Sequence, residues 1–180
     1  MTDPLEWETI DEEVAYSCPG FDVIHETVRL PDGAETDFDY ASEPPAVVIL
    51  PFVSEDEIVL IEEWRQAVKR VNRGLPAGSM EPGEDRETAA RRELEEETGY
   101  EAGRVEFLTS VEPANGLLDA RHHYFVAFDC EPTGERELDF NESIRVDTAG
   151  WEALRESVAT GEVEDGRTAL GVLHYDAFGP

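Results

Sequence analysis

Three glutamates, Glu93, Glu96 and Glu97, crowd the end of the stretch LPAGSMEPGEDRETAARRELEEETGY, Leu75 to Tyr100. Its punctuation predicts a helix over Arg86 to Thr98: Pro82-Gly83 makes a loop, Asp85 is placed to accept from first-turn N–H groups, and Gly99 follows as a stop. At about 100° per residue, Ala90 and Leu94 mark the face that packs on a sheet. Glu93 and Glu97, one turn apart, then lie beside Ala90 at the edge of that face, Glu96 lies next to Ala89 on the other flank, and Glu95 points to solvent beside Arg91. A solvating run would put its acids on the outer face. Carboxylates gathered where a helix meets its core need a cation, and Mg²⁺ or Mn²⁺, with hard oxygen ligands and retained waters, is the natural one.

Acid is also abundant elsewhere: 43 Asp and Glu face 14 Lys and Arg, for a formal net charge of -29. Lys69 is the only lysine. Such a surface repels nucleic acid and anionic membrane and relies on salt to mute its self-repulsion, as expected of a halophilic protein in a salt-rich cytoplasm. The first residues, MTDPLEWETIDEE, lack the basic flank and apolar run of a signal peptide, and no segment approaches 18 apolar residues. The expected location is cytoplasmic. Cys18 and Cys130 fit neither a disulfide framework nor a metal motif and read as reduced thiols.

The elements that must position the glutamates are mostly strands. VIHETVRLPDGAETDFDY (Val23 to Tyr40) reads as a hairpin turning at Pro31-Asp32-Gly33, and Ser42-Glu43-Pro44-Pro45 breaks the chain. The runs AVVILPFV (Ala46 to Val53) and EIVLIEEW (Glu57 to Trp64) read as a second hairpin of buried strands. Further strands are expected at Arg104 to Val111, His122 to Cys130 and Ser143 to Thr148. His122 and His123 then alternate, one inward and one outward. Two helices close the chain, one with Trp151, Leu154 and Val158 on one face and a stop at Gly161, the other over Arg167 to Tyr175. The fold class is α/β. Residues 1–43 are expected to form an amino-terminal β-rich element, too small to stand alone, that packs on the remainder or on another subunit, and residues 44–180 the main domain.

Gly78, five residues, Glu84, seven residues, Arg92-Glu93-Leu94, one residue, Glu96-Glu97, one residue, Gly99-Tyr100 resembles a complete Nudix box. A chance match from composition is on the order of 10⁻⁵ or less. The resemblance implies a Nudix hydrolase, an α/β/α sandwich with a mixed sheet that cleaves a nucleoside diphosphate linked to another group. It also implies metal ligation by Glu93 and Glu97, with Glu96 ligating directly or from behind the ligands and the Ala77 carbonyl available, and a pairing of Glu84 with Arg92 that joins loop to helix.

IVLIEEWRQAV, the LPAG entering the box and the amino-terminal hairpins resemble the ADP-ribose pyrophosphatase group, whose members usually pair through a swapped amino-terminal sheet; a homodimer is therefore expected. By the same likeness FNESIRV (Phe140 to Val146) is a catalytic loop in which Glu142 activates or orients the attacking water, with Glu96 the other catalytic candidate. Arg65 would reach a phosphate or the terminal ribose, and Phe21 could stack a base. The chain departs from the group at Arg73-Gly74, where Trp-Glu is common, and in EPANGLLDARHH, where Asp119 is followed by Ala120 and the expected glutamate is absent. Both changes fall on recognition positions.

The activity implied is metal-dependent hydrolysis of a pyrophosphate bond, ADP-ribose giving AMP and ribose 5-phosphate. Two other readings stay open: a different substrate, such as GDP-mannose or a dinucleotide, or a Nudix-fold module that binds a nucleotide without turning it over.

Overall fold

The computed structural model describes residues 3–134, 136–138 and 143–179. The elements in chain order are β1 (Glu8–Ser17), β2 (Asp22–Arg29), β3 (Glu35–Ser42), β4 (Ala46–Pro51), β5 (Glu57–Arg65), β6 (Arg70–Gly74), β7 (Ala77–Ser79), α1 (Arg86–Thr98), β8 (Tyr100–Val111), β9 (His122–Pro132), β10 (Ile144–Gly150), α2 (Trp151–Thr160) and α3 (Gly166–Phe178). They divide into two compact units, one of residues 1–44 with 112–121, the other of 45–111 with 122–180.

The first unit is an antiparallel sheet ordered β1-β2-β3. Its β2–β3 turn follows from side-chain chemistry: Asp32 accepts from the Ala34 N–H at 3.0 Å, and Gly33 takes a positive φ of 89° that a branched residue would resist. The 112–121 segment joins along β3, where the Ala41 N–H donates to Leu117 O at 2.9 Å and Asp119 accepts from Ser42 Oγ at 2.8 Å.

The second unit carries a mixed sheet ordered β7-β4-β9-β8, with β4 and β9 parallel, and an antiparallel sheet ordered β10-β5-β6. Alternation along β4 and β9 splits their side chains between two cores. Val47, Ile49, Phe125 and Ala127 pack with Ala89, Ala90 and Leu94 of α1. Val48, Leu50, Tyr124 and Val126 pack with Ile58 and Leu60 of β5, Leu154 of α2 and Val172 of α3. Helices thus cover both faces of a mixed sheet, and each fully buried aliphatic contributes about 1.5–3 kcal/mol.

One expectation is corrected. The runs from Ala46 and from Glu57 are both strands, but they belong to different sheets and are not a hairpin. The edges of β4 are taken by β7 and β9, so β5, although it packs on β4 in the core, forms no ladder with it among the described residues; the bridge Phe52–Ile58 lies just past β4, and β5 pairs with β10 and β6. No helix of the described residues is long and apolar enough to cross a membrane.

Candidate active site

Helix α1 is fixed at both ends before it meets the sheet. Asp85 accepts from the N–H groups of Glu87 and Thr88, both at 3.1 Å, and from the Thr88 hydroxyl at 2.6 Å; that hydroxyl bond, then the backbone ones, hold its carboxyl below the ordinary aspartate range. At the other end Gly99 adopts a left-handed φ of 71° and donates to Glu95 O at 2.7 Å. Burial of Ala89, Ala90 and Leu94 sets the rotation. Glu93 and Glu97 are consequently 9% and 3% exposed, whereas Glu95 is open to solvent.

Buried acids need specific partners, and the strand preceding the box supplies them. The Ala77 N–H donates to Glu97 Oε2 at 2.9 Å. Gly78 lies so close to Glu93 that a Cβ there would collide with the carboxyl carbon and both its oxygens. Arg92 ties the remainder together. It makes a fork to Glu84, Nε to Oε1 and Nη2 to Oε2, both at 2.9 Å. Its Nη1 bridges Glu93 Oε1 and Glu96 Oε2, both at 2.8 Å, and Nη2 also reaches Ser79 O at 3.1 Å. The bonds from Arg92 draw the Glu84 carboxyl below the usual glutamate range, while those to Glu84 first, then to Glu93 and Glu96, hold the guanidinium firmly ionised.

Among the described residues no three His, Cys, Asp or Glu side chains stand ready-grouped as a metal cage. Arg92 is the cation that bridges Glu93 and Glu96. The donor set nonetheless fits a hard divalent ion: carboxylate oxygens on one edge of one helix, a glycine that leaves the backbone flush against one of them, and no sulfur or imidazole in the cluster.

The other residues singled out by sequence are placed differently. Arg65 ends β5 and pairs with Glu63 at 2.8 Å beside a narrow cleft. Phe21 is exposed on the first unit, its ring 6.4 Å from that of Tyr16. Glu142 lies outside the described residues. The two histidines are both half-buried instead of one inward and one outward: His123 shares a 2.6 Å hydrogen bond with Ser110 Oγ, and His122, its basicity lowered by burial, lies in the field of Arg167 and Asp165. Glu137 went unnoticed in the sequence. Its N–H donates to Glu96 O at 3.2 Å, and its side chain lines a cleft of about 310 Å³ with Arg92, Glu95 and Glu96. One more acid in an acidic segment has no periodicity to reveal it.

Residues 42–170 match the NUDIX domain family. An ADP-ribose pyrophosphatase of Bacillus subtilis (strain 168) is 34% identical over 171 residues, covering 94% of this chain and 92% of that protein. An ADP-ribose pyrophosphatase of Mycobacterium tuberculosis (strain ATCC 25618 / H37Rv) is 27% identical over 176 residues, covering 96% and 84%. A solved structure described as an ADP compounds hydrolase superimposes with a TM-score of 0.85 at 20% identity over 99% of this chain and 96% of that one, a likeness of fold. With a family match over most of its length, a relative similar nearly end to end and every box residue accounted for, the chain belongs to the Nudix family and is a Nudix pyrophosphohydrolase.

Proposed function

We propose that the enzyme hydrolyses the pyrophosphate bond of a nucleoside diphosphate sugar, ADP-ribose to AMP and ribose 5-phosphate, with Mg²⁺ or Mn²⁺. The observation that carries this reading is the packing of Glu93 and Glu97 against the Ala77–Gly78 backbone, which keeps two carboxylates at a buried helix edge. Substrate identity is inferred from relatives named ADP-ribose pyrophosphatase, among them the two described above.

Glu93 and Glu97, with Glu96 and the Ala77 carbonyl beside them, would hold the metal. A divalent ion held there would supply charge neutralisation for the diphosphate. Arg92 and Glu84 position the carboxylates, Arg92 through its bonds to Glu84, Glu93 and Glu96. Water oxygen bonds to one phosphorus as the bridging P–O bond breaks, and the bridging oxygen leaves on the other phosphate. Glu142 takes the water proton or aligns the water, and Glu96 is the other candidate for that duty. Arg65 contacts a phosphate or the terminal ribose, and Phe21 stacks the base. The β-rich element of residues 1–43 mediates a homodimer, and the enzyme works in a salt-rich cytoplasm.

The test is product analysis at high salt with a panel of ADP-ribose, GDP-mannose and dinucleotides. AMP and ribose 5-phosphate formed fastest from ADP-ribose, and abolished by chelator, are expected. Faster turnover of GDP-mannose or a dinucleotide would move the assignment to that substrate, and binding without turnover of any panel member would leave a nucleotide-binding module.

A further inference from the structure

Between β6 and β7 the chain crosses from one sheet to the other, just before the box. Gly74 ends the β6 ladder opposite Ile61 of β5, and Ala77 opens the β7 ladder opposite Val48 of β4. Leu75 and Pro76 make the crossing between the two ladders, where buried backbone groups still need partners. Pro76 has no N–H to satisfy, and its carbonyl accepts from the Ile49 N–H at 3.0 Å. The Leu75 N–H finds its acceptor far along the chain, in the Thr168 hydroxyl at 3.0 Å.

Thr168 is fully buried in the first turn of α3, and its one hydroxyl proton is committed. It goes to Asp165 Oδ2 at 2.6 Å, an oxygen that also accepts from the Thr168 N–H at 3.0 Å. The hydroxyl oxygen therefore faces Leu75 as an acceptor. Burial raises the Asp165 carboxyl, but the charge of Arg167, the Thr168 bonds and the charge of Arg65 together hold it below the ordinary aspartate range, which keeps it an acceptor too. Two glycines permit the fit. A Cβ on Gly74 would strike the Thr168 hydroxyl, and a Cβ on Gly171, one turn along α3, would press on Leu75 Cδ1 at 3.0 Å. Glycine inside a helix is unfavourable relative to alanine, and this close approach accounts for it at position 171. Helix α3 thus grips Leu75 by both its backbone and its side chain.

The far end of the crossing reaches the glutamates. The Ala77 N–H donates to Glu97 Oε2 at 2.9 Å, and the Gly78 backbone lies against the Glu93 carboxyl. Planar peptides and the fixed φ of Pro76 leave few soft torsions between Leu75 and Ala77. Strand β7 is only three residues long, so its own ladder is a short anchor for that N–H. A displacement of Leu75 is passed on to the group that aims Glu97.

We propose that Thr168 is a positioning residue of the metal site: by holding Leu75 it fixes the Ala77 N–H, and so orients the Glu97 carboxylate before a divalent ion arrives. This rests on the reading above in which Glu97 ligates the ion. Thr168 acts only through Leu75 and Ala77, so its loss weakens metal binding, and saturating metal restores the rate.

The experiment measures Mn²⁺ binding to the full chain by calorimetry without substrate, beside Mg²⁺ titrations of ADP-ribose hydrolysis and melting curves. Thr168→Val keeps the shape but leaves the Leu75 N–H without its acceptor. The Mn²⁺ Kd and the half-maximal Mg²⁺ concentration should both rise about three- to tenfold, less than the loss of a group bonded directly to a ligand, with kcat at saturating Mg²⁺ within about twofold of wild type. Thr168→Ser, which restores the hydroxyl, should bind Mn²⁺ within about twofold of wild type. Leu154→Val thins the same core from α2 and takes part in none of these hydrogen bonds, so it should lower the melting temperature and leave the Mn²⁺ Kd unchanged. If Thr168→Val does not fold, Thr168→Ala, which also lacks the hydroxyl and suits a helix, carries the decision by the same readouts. A Mn²⁺ Kd for the hydroxyl-free variant within about twofold of wild type, whatever its melting temperature, overturns the proposal, as does an equal weakening by Leu154→Val. Both results leave the metal site itself standing. Wild type that binds no Mn²⁺, or Glu97→Gln that binds it as tightly as wild type, removes the metal reading and this inference with it.

Discussion

Gly78 and Glu93 occupy mutually exclusive space: a methyl group on residue 78 would overlap the carboxyl group of residue 93. The atoms in the way are the far end of a flexible side chain, so Gly78→Ala can be accommodated by swinging Glu93 aside. The expected outcome separates stability from activity. Thermal unfolding should change little, by about 1–2 kcal/mol at most, while kcat falls at least tenfold because a metal-side carboxylate has been displaced. Gly74→Ala should behave in the opposite manner, since its added Cβ meets the buried Thr168 hydroxyl that anchors Leu75. Melting curves and steady-state rates on both variants check the contrast, and equal destabilisation by the two would refute it.

The fork from Arg92 to Glu84 is a partly buried pair, its side chains 23% and 11% exposed. Its loss should cost more than the roughly 1 kcal/mol of a surface pair and no more than the 3–5 kcal/mol of a fully buried one. Arg92→Lys keeps the charge but cannot make two parallel bonds, and should lose both stability and activity. The pH dependence has a definite sign. Because Arg92 lowers the Glu84 carboxyl below its unfolded value near 4.3, the pair's stabilisation is complete above about pH 4.3 and is lost as the pH falls through the lower folded value. Glu84→Gln should be less stable at neutral pH and should lose less on further acidification. Parallel acid-unfolding profiles of wild type and Glu84→Gln would count against the pairing.

Glu97 and Glu95 sit two residues apart on α1 yet differ completely in setting, one buried against Ala77 and the other open to solvent. Glu97→Gln preserves shape and an oxygen for the Ala77 N–H, so the fold should persist. Activity should drop about tenfold or more, and the Mg²⁺ concentration for half-maximal rate should rise. Glu95→Gln should be nearly silent. A metal titration of both variants tests the pair, and an unchanged Mg²⁺ requirement for Glu97→Gln would take that residue out of the metal site.

These contrasts depend on features that the sequence itself makes legible. Helix α1 could be read to the residue because each boundary has a local cause: Asp85 caps, Gly99 turns left-handed, and Ala89, Ala90 and Leu94 choose the buried side. The β2–β3 turn was legible for the same reason, through Asp32 and Gly33. Where partners decide, local reading stopped. The apolar runs from Ala46 and Glu57 announce burial but carry nothing about which edge is taken, so a hairpin was expected where two sheets diverge. Strand β1, ETIDEEVAYS, is exposed throughout and too acidic to show a clear period of two. The short β6 and β7 exist through their ladders with β5 and β4. Arg65 and Arg167 line one narrow cleft although they are 102 residues apart by number, a neighbourhood that no local pattern announces.

Salt should matter most where like charges face each other. On the first unit Glu12 stands directly opposite Glu26 across the β1–β2 ladder, and Glu13 is followed across the sheet by His25 and Asp39. His25 relieves part of this: its 2.8 Å bond to Asp39 raises its basicity, with Asp37 and Glu13 adding to the effect. Among the described residues no ion pair joins a cation to Glu12 or Glu26, and directly opposed like charges destabilise a strand pair. With the Debye length near 10 Å at 0.1 M and about 3 Å at 1 M, added salt should screen this repulsion and that of the net -29 charge. The melting temperature should therefore rise by several degrees between about 0.1 M and 1 M KCl, each 1 kcal/mol corresponding to about 2–4 °C for a chain of this size. Hydrogen exchange at low salt should open β1 and β2 before α1. Glu12→Gln should shrink the salt response by removing one of the opposed charges. A melting temperature indifferent to KCl, or a Glu12→Gln variant with the full wild-type response, would show that the acidic surface is not what limits this sheet.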